Sequence, residues 1–295
     1  MKAFKRLKFK NFADIKKQMQ KLDLDKLSDF FIMYEALNQN LTREDLMKKM
    51  KTHLSVMKES VSKYSEKVNT TKSCMINGGA FLMKKQLDKD FVLFDKKFTE
   101  LIMRLLSSGE CNACMGKIVA APTAGASAVI PGTLLYIADL HKISERNILK
   151  SLFIAGGIGE VIALNASLSG STHGCQAEVG SASAMAAAAL VSLFTEDMDT
   201  IESAACFALK NVLGLVCDPI AGLVEVPCVK RNVMGGVNAL SSAEMALAGI
   251  KTVLPFDEVV DALRRVGDSL PYTLKETALG GLAICPTAKK ITESL

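Results

Sequence analysis

Along the first third of the chain, apolar residues recur at helical spacing among many charges. Phe12, Ile15, Met19, Leu22, Leu27, Phe30, Phe31, Met33 and Leu37 predict one or two amphipathic helices over residues 12–37. Thr42-Arg43-Glu44-Asp45 has the form of a helix start, a hydroxyl followed three residues later by a carboxylate that can cap it reciprocally. Behind it Leu46, Met50, Leu54, Met57, Val61 and Tyr64 follow at intervals of 4, 4, 3, 4 and 3, one seam on a long helix whose other faces carry Lys and Glu. The methionines of that seam read as packing.

After about residue 110 the pattern changes: charge thins out to residue 250, and Ala, Gly and Ser dominate, punctuated by short turns. Apolar runs at 150–169 and 182–194, and Ile201 to Leu213, predict buried helices. The last opens at Asp199-Thr200, has Glu202 in its first turn and stops at Gly214. Residues 256–266 predict a short amphipathic helix ending at Gly267. Gly156, Gly157 and Gly159 lie inside an apolar helical pattern, where close helix packing accounts for them. Runs of β-branched residues are too short for a large sheet. The predicted fold is therefore mainly α: a basic amphipathic helical region over 1–105, then a helical domain with Gly/Pro-rich loops over 106–295, with a linker around residues 100–115.

Composition narrows the function classes. Hydrophobic residues make up 49% and charged residues 23%, which excludes disordered and fibrous chains. With no Trp and 6% aromatics, a stacking platform for single-stranded nucleic acid is not expected. Residues 1–100 hold 22 basic against 13 acidic side chains, and residues 101–295 hold 14 against 18, an asymmetry that reads first as a Lys-rich solvated surface. The start MKAFKRLKFKNF has positive charge but no apolar run of signal-peptide length behind it, so no secretion signal is read, a cytoplasmic protein is expected, and the eight Cys are expected as reduced thiols, metal ligands or redox groups rather than a disulfide framework. Ile118 to Ala138 is uncharged over 21 residues, but Pro122, Gly125, Pro131 and Gly132 interrupt it; it reads as strand or loop, then turn, and no membrane span is expected.

Candidate chemistry is sparse. Of three His, His53 lies in the Lys-rich helix, His141 follows a predicted helix and can cap it, and His173 sits beside a thiol in Ser-Gly-Ser-Thr-His-Gly-Cys. No P-loop, no G-x-G-x-x-G after a strand and no G-x-S-x-G elbow is present. Cys111-Asn-Ala-Cys114 is a C-x-x-C without a second pair, half of a zinc site or a redox pair without its βαβ frame. Cys74, Cys206 and Cys285 read as structural or incidental thiols. Cys175, Cys217 and Cys228 each stand in an irregular segment flanked by Gly or Pro, where unpaired backbone N–H groups can face a thiolate. Their spacing matches no compact ferredoxin run, so cluster, other metal and scattered thiols all stay open on the residues alone.

Four segments carry a resemblance. They are Met115-Gly-Lys-Ile-Val-Ala-Ala-Pro-Thr-Ala-Gly125, Gly174-Cys-Gln-Ala-Glu-Val-Gly-Ser181, the stretch from Leu213 to Asn232 around Cys217-Asp-Pro and Pro227-Cys228, and Glu276-Thr-Ala-Leu-Gly-Gly281. Together they resemble the α chain of the bacterial iron–sulfur-dependent L-serine dehydratases, in order from about residue 30 to the carboxyl terminus. The resemblance implies a helical catalytic fold, a [4Fe–4S] cluster held by Cys175, Cys217 and Cys228, and conversion of L-serine to pyruvate and ammonia without pyridoxal phosphate. It also implies a separate β chain in an αβ heterodimer or larger assembly, since no Ser-Ser-His-Thr stretch occurs here. The turn Pro122 to Ser127 is the candidate contact for the serine carboxylate through Thr123, Ala124, Gly125 and Ser127, with Lys117, Lys230 and Arg231 as sources of positive charge. His173 is a candidate near the substrate, and the base is unassigned because the β chain can supply it. Thr71 to Gly79 departs from the family's Ser/Lys-Ser-Gly segment, as does Ser-Thr-His before Gly174. The alternatives are a sister cluster-dependent lyase acting on cysteine or threonine, and a non-catalytic helical metal-binding partner protein.

Overall fold

The computed structural model describes residues 7–295; residues 1–6 of the basic start lie outside the described residues. Thirteen α-helices are found among them: α1 Phe12–Leu22, α2 Leu27–Gln39, α3 Arg43–Lys63, α4 Gly79–Leu87, α5 Lys96–Ala113, α6 Val129–Leu140, α7 Glu145–Asn165, α8 Gly170–His173, α9 Ser181–Ser192, α10 Met198–Lys210, α11 Cys228–Leu247, α12 Phe256–Ser269 and α13 Pro286–Glu293. No strand forms among the described residues; Thr70–Asn77 and Cys217–Lys275 are isolated bridges.

The centre is α9. From Ser181 to Val191 every residue is buried, which is what a helix apolar on all sides requires. Its alanines let α6, α7, α10 and α11 approach closely. Glycines do the same at the crossings: a Cβ on Gly157 of α7 would lie 2.1 Å from the Phe31 ring, and one on Gly159 2.9 Å from Met185. Gly156 has nothing within 4 Å, so the packing role predicted for the three glycines holds for two of them. Helix α7 is long and apolar enough to cross a membrane, but it lies mostly inside this core.

The amphipathic helices wrap this centre. The α1 face of Phe12, Ile15 and Met19 is buried, with Phe12 edge-on to Phe256 of α12 at 6.0 Å between centroids. Asp257 accepts the N–H groups of Phe12 at 2.7 Å and Ala13 at 3.0 Å, satisfying the free end of α1 with a carboxylate. The capping box at Thr42 and Asp45 forms as read, and Leu46, Leu54, Met57 and Val61 of the seam are buried.

Three expectations give way. The linker expected around residues 100–115 is helical as far as Ala113, since Lys96–Ala113 form α5, whose buried Leu101 and Leu105 face α6 and α11. Pro131 and Gly132, read as a turn, lie within the first turns of α6; a proline as third helical residue loses no helical hydrogen bond, because the first such bond is that of Gly132 N to Ala128 O at 2.9 Å. Helix α10 starts at Met198 with Asp197 as its cap, whose side chain accepts from Thr200 N, and it ends at Lys210 before the turn to Gly214.

Candidate active site

Three loops converge beside the amino-terminal ends of α8 and α11. The first follows α8: Gly174 turns at φ +76°, and residues 176–180 wind as a wide π-turn running into α9. A Cβ on Gly174 would lie 2.7 Å from Leu270 Cδ1 and 2.8 Å from the Leu215 carbonyl, so glycine is required there by both conformation and space. The second loop carries Cys217. Gln176 ties the two loops, donating its N–H to Leu215 O at 2.9 Å and accepting from Gly214 N at 2.9 Å. The third is the start of α11, where Cys228 is the first helical residue behind Pro227, as read from the sequence. The carboxyl-terminal segment closes over the second loop: Cys217 N donates to Leu274 O at 2.9 Å, and Glu276 N donates to Cys217 O at 2.8 Å.

Cys175 and Cys217 are 3% exposed, Cys228 is half-buried, and the three thiols act on one another electrostatically. Burial pushes Cys175 up to about 11, against the Arg231 guanidinium, which pulls it down. Burial and the neighbouring Cys175 push Cys228 up to about 12, and burial with Cys175 and Glu178 alongside drives Cys217 above the ordinary thiol range. Left to itself the pocket keeps its thiols protonated; it holds thiolates only against added positive charge, which a metal supplies. Among the described residues no three His, Cys, Asp or Glu side chains converge where one ion could bind. A cluster, with several metal and sulfide atoms between its ligands, tolerates wider thiol spacing than one ion, so this donor set fits a cluster better.

Glu178 was missed by sequence reasoning. Its carboxyl lies 3.9 Å from Cys217 Sγ, and burial raises its pKa, with Thr123 opposing and Glu276 reinforcing the shift. A Cβ on Gly170 would come within 2.8 Å of Glu178 Oε2 and 2.9 Å of Cys217 Sγ, and a Cβ on Gly125 within 3.4 Å of the same carboxyl. The signal was available: an acid inside the apolar run Gln176-Ala-Glu-Val-Gly180 is an unusual burial.

The turn at 122–127 faces this carboxyl through Thr123 and Gly125. Asn232 of α11 anchors it, donating to Gly125 O at 2.6 Å and Cys228 O at 2.9 Å while accepting from Ala128 N at 3.0 Å. The Thr123 and Ser127 hydroxyls are buried without a well-formed hydrogen bond, and such orphans need a partner. Ala124 is exposed at the turn's tip.

The other candidates fall elsewhere. His173 Nε2 meets Asp268 of α12 at 3.1 Å, its ring packs on Gly267, and its Nδ1 is buried and unpartnered. Of the three cations, only Arg231 reaches the thiols; Lys117 and Lys230 are exposed. Cys111 and Cys114 close the carboxyl end of α5, where burial raises both thiols and the helix's free carbonyls disfavour a thiolate. The divergent segment after residue 70 is nonetheless joined to the third loop, because the Thr71 and Ser73 hydroxyls both donate to Glu225.

The helical frame thus brings two buried thiols, the half-buried Cys228, an acid and a polar turn to one place. Residues 10–283 match the family described as serine dehydratase alpha chain. The chain is 42% identical over 286 residues to the probable L-serine dehydratase, alpha chain, of Bacillus subtilis (strain 168), covering 97% of this chain and 94% of that one. It is 41% identical to the L-serine dehydratase, alpha chain, of Peptoniphilus asaccharolyticus, covering 90% and 91%. Against the L-serine dehydratase of Helicobacter pylori (strain ATCC 700392 / 26695), 42% identity extends over 177 residues, 59% of this chain but only 39% of that protein. This chain belongs to the serine dehydratase alpha-chain family.

Proposed function

We propose that this chain is the cluster-bearing half of a cytoplasmic L-serine dehydratase, with Cys175, Cys217 and Cys228 as the ligands of a [4Fe–4S] cluster and a separate β chain as its partner. When bound, such a cluster supplies a Lewis-acidic iron that eases departure of the serine β-hydroxyl. The chain's own residues do the rest. The 123–127 turn presents backbone N–H groups and the Thr123 and Ser127 hydroxyls to the substrate carboxylate. Glu178, whose pKa burial raises, is a carboxyl able to exchange a proton with a substrate lodged between that turn and Cys217. Loss of the α-proton and the β-hydroxyl leaves aminoacrylate, which tautomerises to an imine and hydrolyses to pyruvate and ammonia.

The observation that carries this reading is that two buried thiols, the half-buried Cys228 and Glu178 lie close enough to act on one another. The relatives' designation as alpha chains and the greater length of the Helicobacter pylori relative support the β chain. Its contact is assigned to the basic region 1–105, whose α4–α5 loop exposes Phe91, Leu93 and Phe94. The test is anaerobic iron and acid-labile sulfide analysis, with the visible spectrum, on the chain co-expressed with its β chain. About four of each per α chain, lost in air together with serine-to-pyruvate activity, is the expected result. A folded assembly without iron under strict anaerobiosis rejects it.

A further inference from the structure

Resting on that reading of the three cysteines, we propose that Arg231 is a positioning residue for the cluster, a charged clamp that holds two of the thiol loops in register and offsets their negative charge. Arg231 sits one turn into α11, behind Cys228. Its Nη1 donates to Val216 O at 2.7 Å and its Nη2 to Asp218 Oδ1 at 2.8 Å, one contact on each side of Cys217. The same guanidinium stands against the Cys175 thiol. One planar fork on the Cys228 helix thus reaches the residues flanking Cys217 and the first thiol itself, a geometry that a flexible ammonium cannot reproduce.

The clamp extends one step further. Asp218 is almost fully buried and uses its second oxygen to accept Leu282 N at 2.8 Å. A Cβ on Gly281, at φ +58°, would fall 2.4 Å from that oxygen, so the Gly280-Gly281 turn is shaped to let Asp218 in. The family-like segments around residues 175, 217, 228 and 281 therefore meet at one ion pair.

The experiment compares wild type, Arg231→Lys, Arg231→Met and Asp218→Asn as anaerobically prepared assemblies with the β chain. Three quantities are read: iron and sulfide per chain, the rate of iron loss to a chelator, and the cluster's midpoint potential. Both Arg231 variants should lose iron roughly 10- to 100-fold faster than wild type, the range seen when groups supporting metal ligands are removed. Arg231→Lys, which keeps the charge, should hold the wild-type potential. Arg231→Met should shift it lower, since a nearby cation favours the reduced cluster. Asp218→Asn should raise the loss rate and, by removing a buried negative charge beside Cys217, shift the potential up rather than down. Should the Met variant fail to fold, as a melting curve would show, Lys and Asn still decide the clamp through the loss rate. Wild-type iron retention in Lys and Asn, or equal potentials in Lys and Met, overturns the inference. A wild-type assembly without iron overturns the cysteine assignment instead, and separates the two failures.

Discussion

Replacing Gly170 by Ala places one methyl group where the pocket has no room for it. Gly170 opens α8 and does not have a positive φ, so alanine strains no backbone dihedral and the substitution reports on space alone. The new Cβ would stand 2.8 Å from Glu178 Oε2, 3.1 Å from Glu178 Cδ and 2.9 Å from Cys217 Sγ. Ordinary contact lies at 3.4–4 Å, so the acid and the thiol must retreat by about 0.5–1 Å. A misplacement of about 1 Å among reacting groups lowers rate about 100-fold, or about 2.7 kcal/mol of transition-state stabilisation. Stability moves little, because alanine gains about 0.5–1 kcal/mol over glycine in a helical turn and offsets part of the crowding. The assay is kcat/KM for serine-to-pyruvate conversion in the anaerobic assembly, read with iron content and melting temperature. A large fall in kcat/KM in a folded, stable assembly is expected. Full activity with full iron would refute the argument that Glu178, Cys217 and the α8 backbone must keep their present separation.

Other outcomes follow from the same geometry. Cys175→Ser, Cys217→Ser and Cys228→Ser should each abolish cluster binding, read as iron per chain. Cys206→Ser should leave iron unchanged, because that thiol is fully buried and faces Leu254 O at 3.5 Å. Gly157→Ala drives a methyl into the fully packed Phe31 ring and should lower stability by about 1–3 kcal/mol in denaturant titration. Gly156→Ala, with open space above it, should instead raise stability slightly. Glu110 is buried, accepts Ala80 N at 3.1 Å with one oxygen, leaves the other unpartnered, and is raised by burial. Its folded pKa exceeds its unfolded one, so wild-type stability should fall as pH rises through that interval. Glu110→Gln should be increasingly favoured over wild type as pH rises above the ordinary carboxylate range, measured by melting temperature.

Much of the helical layout was legible because it follows from local chemistry. The Thr42–Asp45 box, the seam from Leu46 to Val61 and the all-apolar run of α9 need only neighbours three or four residues away. Boundaries were less legible. Pro131-Gly132 reads as a turn until α6 is seen to start just before it, and α5 reads as a linker because its buried Ser107, Ser108 and Glu110 lack an apolar signature. Among site residues, the Gly- and Pro-flanked thiols stood out as separate points, and only resemblance joined them.

Linear order by itself determined an α-helical chain with three thiols in irregular segments, because helix propensity, capping and periodicity act over a few residues. Which groups share a pocket was decided by tertiary structure, since their proximity depends on how α8, α9, α11 and the carboxyl-terminal turn close on one another. That closure recruited Glu178 and Asn232, selected Arg231 over Lys117 and Lys230, and turned His173 toward Asp268. No spacing rule along the sequence encodes contacts between residues 125 and 232, 178 and 217, or 218 and 282. They exist because burying the alanine-rich core leaves the polar loops one place to meet.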